Sequence, residues 1–243
     1  MPVGEVRFTA LVAPAIDRTF RSAMRTVRDK GGYELVNRYG GRDVVGPLIW
    51  FRHSIGTPDR VITWSQFAAA MRYEDTTDLR ARTEAAAAHG RLAVDDTGLR
   101  ATDAGREFLG EVWAGQNEVL GAAWAEHGDR VDRLVDVLGR LVDAATPTGG
   151  EAFAAMTPTY EPPGSTDGAR LLNRLGIMRY HRADAHAAAW AAAGLTAVEI
   201  QAMAPGPERD QIEDDTNVRA ARPYTVLSEE ERLTLLADLA ALP

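Results

Sequence analysis

The chain contains no cysteine and a single lysine, Lys30, among its 243 residues. The first absence excludes disulfides, cysteine nucleophiles and Cys-ligated zinc, and it fits a reducing compartment. No apolar run approaches the ~20 residues that span a bilayer. The opening MPVGEVRFTALVAPA carries Glu5 and has neither a basic start nor a continuous apolar stretch. A cleaved signal peptide and a membrane partner are therefore not expected, and a cytoplasmic location is. The glycine groups Gly31-Gly32, Gly40-Gly41 and Gly46-Pro47 match neither a phosphate loop nor a GxGxxG fingerprint. HExxH is also absent, as is the GxSxG elbow of a hydrolase. No cofactor and no metal site are expected on these grounds.

What is present is an ordinary globular composition, 45% apolar and 26% charged, with a net charge of −8. The chain as a whole does not attract polyanions. With one lysine against a large arginine complement and abundant alanine, the arginine reads as coding bias of a GC-rich genome, not as a nucleic-acid signal. The charge is uneven. Residues 15–42 hold seven basic and three acidic side chains, and residues 195–243 hold ten acidic and four basic. The two ends are thus able to pair, within a chain or across a dimer, or simply to form two solvated faces.

Hydrophobic periodicity and punctuation give a mainly helical chain. Pro14 to Lys30 reads as an amphipathic helix with Ile16, Phe20, Ala23, Met24 and Val27 on one arc, stopped by Gly31-Gly32. Residues 33–52 hold a second helical stretch, broken by Gly40-Gly41 and by Gly46-Pro47 before the apolar Leu48-Ile49-Trp50-Phe51. Thr63 and Gln66 form a capping box for a short helix through Met71, and a second helix runs from Asp78 to His89. Leu92-Ala93-Val94 and Leu99-Arg100-Ala101-Thr102 flank an Asp/Gly turn and read as a hairpin. A long helix then carries Phe108, Trp113, Leu120 and Trp124. Residues 146–168 are rich in Gly, Pro and Thr and read as a linker around one helical turn. Beyond it lie a helix over about 166–193 and another over roughly 208–221. Capping boxes at Thr196/Glu199 and Ser228/Glu231 open two more.

Helix, turn, helix, hairpin, helix is the order of a winged helix. The helix pair 63–71 and 78–89, the exit Gly90-Arg91-Leu92, Asp96 and Arg100 in the hairpin, and Thr102-Asp103-Ala104-Gly105 resemble the winged-helix domain of MarR-type regulators over residues 60–145. The hairpin is shorter than that family's usual wing. The stretch Arg179-Tyr180-His181-Arg182-x-Asp184-x-His186, with Ala193-Gly194-Leu195, is similar to actinobacterial helix-turn-helix-like proteins of unassigned function. The expected architecture is mainly α. It has N-terminal helices over 1–59, a winged helix-turn-helix domain over 60–145, a linker over 146–168 and an all-helical C-terminal domain over 169–243. The MarR resemblance implies a homodimer through terminal helices, and a heteromeric partner is the other option.

The chemistry concentrates at 179–190. On a wheel of 100° per residue, Arg179, Arg182 and His186 share an arc with Leu171, Leu172, Leu175, Met178, Ala189 and Trp190. Charge on an apolar stripe needs a partner. One reading is a small-molecule pocket in which Arg179 and Arg182 grip an anionic group and His186 passes a proton, with Asp184 orienting His181 as an acid–base pair. The other is internal ion pairing to Glu199, Glu213 or Asp214. A metal shared by His181 and Asp184 is disfavoured, because His186 points elsewhere. Trp113 and Trp124 read either as cavity walls or as core, with Gln116 near the same side, and Tyr160 as a cap from the linker.

DNA readout would fall to Arg80 and Arg82 on the second helix and to Arg100 on the wing. That helix opens with Glu74, Asp75 and Asp78, and residues 76–106 carry five arginines against five acids. This balance weakens approach to phosphates. Three functions are carried forward. The first is a winged-helix scaffold that binds or transforms a small molecule, within actinobacterial specialised metabolism. The second is a MarR-like, ligand-responsive regulator that binds duplex DNA. The third is an interaction subunit.

Overall fold

A computed structural model describes residues 4–243. Helix α1 spans Glu5–Val27 and so starts well before the expected Pro14, which lies inside it. Phe8 and Val12 extend the apolar face of Ile16 one turn at a time, and all three are buried. Packing of that continuous stripe outweighs the hydrogen bond that a proline inside a helix forfeits. The chain kinks over Arg28–Gly32, where Gly31 takes φ +112, a conformation that side chains disfavour. It then continues as α2 (Tyr33–Arg38) and α3 (Arg42–Trp50), broken as expected at Gly40-Gly41 but not at Gly46-Pro47, which lies buried inside α3 because Pro47 falls in its short, core-packed run.

The winged module follows as expected, with one addition. Strand β1 (Ile62–Thr63) leads into α4 (Trp64–Ala70), whose cap is the Thr63/Gln66 box. Helix α5 (Thr76–Ala87) is capped by Asp75, whose carboxylate accepts from the Thr77 and Asp78 amides. Strands β2 (Leu92–Val94) and β3 (Gly98–Ala101) form the hairpin, with Leu92 opposite Ala101 and Val94 opposite Leu99. The two-residue β1 makes this an antiparallel sheet in the order β1-β3-β2. A segment that short has no alternation to read, so only its neighbours reveal it.

Helix α6 (Asp103–Ala123), capped by Thr102, is followed by α7 (Gly128–Ala145), which had no counterpart among the expected elements. The linker holds the anticipated helical turn, α8 (Glu151–Ala155). Then come α9 (Asp167–Ala192), α10 (Ala197–Ala202), α11 (Pro207–Ala220) and α12 (Glu229–Ala241), with both C-terminal capping boxes formed.

Helix α9 is the axis of the molecule and packs against α1, α6, α7, α8 and α11. Leu171, Leu172, Leu175 and Ile177 are fully buried, each contributing about 1.5–3 kcal/mol relative to exposure. One apolar core joins Phe8 of α1 to Phe67 of α4, Leu138 of α7 and Leu239 of α12, and a small satellite joins Ala189, Ile200 and Ile212. The oppositely charged ends do meet within the chain, since α1 packs on α11 and α12. One ion pair between them runs against the expected polarity: Glu5 of α1 holds Arg232 of α12 at 3.1 Å. Arg18 donates to the Leu239 carbonyl instead of to a carboxylate.

Candidate functional site

Helix α9 carries the 179–186 cluster into contact with three other elements. Arg179 donates from Nε to Asp17 of α1 at 2.8 Å, and its guanidinium stacks 4.3 Å from the Phe20 ring centroid. Arg182 donates to Glu213 and to Asn217 of α11, each at 2.8 Å. His186 sits one turn on. Its Nδ1 lies 3.0 Å from the Tyr73 hydroxyl, and its Nε2 lies 3.6 Å from Glu213. The guanidinium and the imidazole therefore converge on one carboxylate, as their i, i+4 spacing permits.

These groups wall an open hollow of about 510 Å³ between α1, α9 and α11, with Tyr73 at its edge. Burial lowers the pKa of His186, Glu213 opposes that shift, and the Arg182 charge reinforces it. The ring is thus favoured in its neutral form, able to accept a proton from a bound molecule or exchange one with Tyr73.

His181 and Asp184 do not form the expected hydrogen-bonded pair. His181 is only 2% exposed, and its Nε2 contacts the Thr148 hydroxyl at 3.0 Å. Burial drives its pKa down to about 4, and the charge of Asp184 only partly resists. Asp184 is held by Arg72 and accepts from the Phe153 amide at 2.8 Å and the Ala152 amide at 3.3 Å, at the start of α8. Among the described residues, no cluster of three or more His, Asp or Glu is placed to hold a metal ion.

Trp124 lies in the main core. Trp113 is buried, its indole N–H has no partner among the described residues, and its ring meets Tyr160 edge-on at 6.2 Å. Tyr160 closes over the turn after α3, its amide donating to the His53 carbonyl at 2.6 Å. All three residues are therefore removed from the hollow at Arg182.

The arginines expected to face DNA are each engaged by the chain's own acids. Arg80 bonds Glu84 at 2.9 Å and lies 4.2 Å from the Trp64 ring centroid. Arg82 bonds Asp43 at 2.9 Å and lies 3.7 Å from Asp78. Arg100 pairs with Asp95, which also organises the hairpin turn through the Thr97 and Gly98 amides.

Sequence reasoning missed the polar triplet Arg52-His53-Ser54, which is buried. His53 Nδ1 bonds Asn173 of α9, and Ser54 donates to the Ala155 carbonyl at 2.5 Å. Burial, then the Arg52 charge, drives the His53 pKa well below its usual value. A Cβ at Gly176 would strike the His53 ring, so glycine there lets α9 approach this turn. The available signal was three polar residues set between Phe51 and Ile55 in an otherwise apolar stretch.

Against known proteins, a helix-turn-helix family model matches residues 109–208. The match runs from α6 to the start of α11 and leaves the β2–β3 hairpin and α4–α5 outside it. No curated protein and no solved structure gives a significant match.

Proposed function

We propose that this chain, which carries a helix-turn-helix-type domain, uses its scaffold to bind a small molecule in the hollow beside Arg182 and His186. The observation that carries this reading is the convergence of Arg182, His186 and Tyr73 with Glu213 at the wall of an open hollow of about 510 Å³. Such a site is concave, of ligand size, and holds a few polar groups around a neutral imidazole able to move a proton. Arg182 approaches the ligand already neutralised by Glu213, so it orients a polar group more than it attracts an anion from afar. A setting in actinobacterial specialised metabolism is part of the same proposal and rests on the sequence resemblance at 179–195.

A second reading is a MarR-like ligand-responsive regulator that contacts duplex DNA through Arg80, Arg82 and Arg100; the helix-turn-helix match fits it only loosely, because all three arginines lie outside residues 109–208. Against it, each of those guanidiniums has a carboxylate partner within the chain, and a phosphate would have to displace it.

Fluorescence anisotropy with a labelled duplex across a salt series separates the two readings. A small-molecule protein gives no salt-dependent binding at micromolar concentration, and Arg80→Ala with Arg82→Ala changes nothing. A thermal-shift screen of polar metabolites then yields ligands whose effect is lost in Arg182→Ala and His186→Ala. Tight, salt-sensitive duplex binding that disappears in the Arg80/Arg82 variant overturns the first reading in favour of the second.

A further inference from the structure

A second cavity, of about 490 Å³, lies on the other end of α1, bounded by its kink, α2, α3 and α6. Its walls are apolar, with Met24, Val27, Val36, Ile49, Val112 and Val119 contributing. Of the polar side chains that line it, two are buried. Arg52 is 7% exposed, and no carboxylate lies within ion-pair distance of it among the described residues. Among the described residues, only two of its five N–H donors have acceptors: Nη1 reaches the Ile49 carbonyl at 3.0 Å and Nη2 reaches the Met24 sulfur at 3.4 Å. Gln116 is 3% exposed, lines the same cavity and has no hydrogen-bond partner among the described residues.

A charge without a counter-charge among apolar walls is costly, whereas the Gln116 amide, which is not one of the fully enclosed unpartnered groups, stays open to the cavity it lines. Burial lowers the Arg52 pKa to about 10, so the guanidinium stays charged at neutral pH. The Phe20 ring, 6.0 Å from it, supplies a weak cation–π contact and no negative charge. The rim reinforces the same sign. Arg28, Lys30, Arg38 and Arg42 face it against Glu111 and Glu118, and Glu111 is already held by Arg38 and Tyr39.

We infer that this cavity binds an amphipathic monoanion, its acid group on Arg52 and Gln116 and its hydrocarbon body against the apolar walls. A carboxylate presents the two oxygens that a guanidinium fork matches, and it supplies the counter-charge the fold itself omits. Volume and polarity suit a medium-length aliphatic or a small aromatic acid. The inference goes beyond the reading given above, which concerns the separate hollow at Arg182.

Isothermal titration of the full chain with octanoate and with octan-1-ol tests it, since the two share a tail and differ in the head. Octanoate should bind at least about tenfold more tightly, the worth of one charge-assisted contact. Arg52→Met should abolish that preference, and Arg182→Ala should leave it intact. Gly115 lies on the cavity wall, and a Cβ there meets nothing within 4 Å. Gly115→Leu should therefore fill the space and weaken both ligands. No octanoate binding, equal binding of the two probes, or a preference that survives Arg52→Met overturns the assignment. If Arg52→Met does not fold, Gly115→Leu decides: octanoate binding that persists unchanged in it overturns the assignment, and binding lost in it supports it. Loss of octanoate preference in Arg182→Ala alone would instead move the anion site to the other hollow.

Discussion

Arg52 and Arg179 approach the same aromatic ring, Phe20, yet their surroundings are opposite. Arg179 has Asp17 at 2.8 Å and stands at an open hollow. Arg52 is more deeply buried, borders a greasy cavity, and among the described residues donates hydrogen bonds to a carbonyl and a thioether but to no carboxylate. Arg182, Arg72, Arg80 and Arg82 all end on carboxylates of this chain. Folding alone explains a paired arginine, because the pair limits its own desolvation cost. It does not explain an unpaired one in the interior, which costs stability and gains nothing until something negative arrives.

Three measurements break or sharpen that contrast. The largest effect belongs to the most enclosed pair. Asp184→Ala leaves Arg72 without its carboxylate and the Ala152 and Phe153 amides without their acceptor. Denaturant unfolding should show a loss of about 3–5 kcal/mol, the cost of stranding one member of a buried pair. A loss below about 1 kcal/mol would rank the pair with exposed ones and erase the distinction.

Next is acid sensitivity. The unfolded chain takes up a proton on His181 near its ordinary pKa of 6.5, while the folded chain resists until about 4. Between those values the unfolded state holds more protons, so stability falls as pH falls, by on the order of 3 kcal/mol in total. Below about 4 both states are protonated and the slope ends. His53 acts in the same direction. His181→Gln should flatten the dependence of the unfolding midpoint between pH 6.5 and 4, and an unchanged slope would show that His181 is not held neutral.

The smallest effect belongs to the open hollow. Glu213→Gln removes the carboxylate shared by Arg182 and His186, both partly exposed. Stability should change by about 0.2–1 kcal/mol. The sharper readout is the imidazole titration by NMR. Glu213 is the group that raises the His186 pKa, so its loss should lower that pKa further. A pKa that rises instead would mean the two side chains do not face each other in solution.

Much of the framework was legible in the chain. Thr63, Thr196 and Ser228 cap the helices they were expected to cap, because a capping box is satisfied within four residues. The hairpin at 92–101 followed from its turn chemistry. The site was legible only in part. The wheel placed Arg179, Arg182 and His186 on the buried side of α9 and His181 elsewhere, whereas His181 is the most enclosed of the four. A wheel assumes one buried face, and α9 has neighbours around most of its circumference.

Periodicity, caps and glycine stops are local, so the amino-acid order alone set which stretches are helical, where most of them end, and that a short wing follows two helices. Which charge meets which was settled only by folding. Asp17 lies 162 positions from Arg179, and Arg72 lies 112 from Asp184. Nothing local distinguishes these arginines from Arg52, which folding leaves without an acid. The cost of burying a charge depends on what stands a few ångströms away in space, and that is a property of the packed chain.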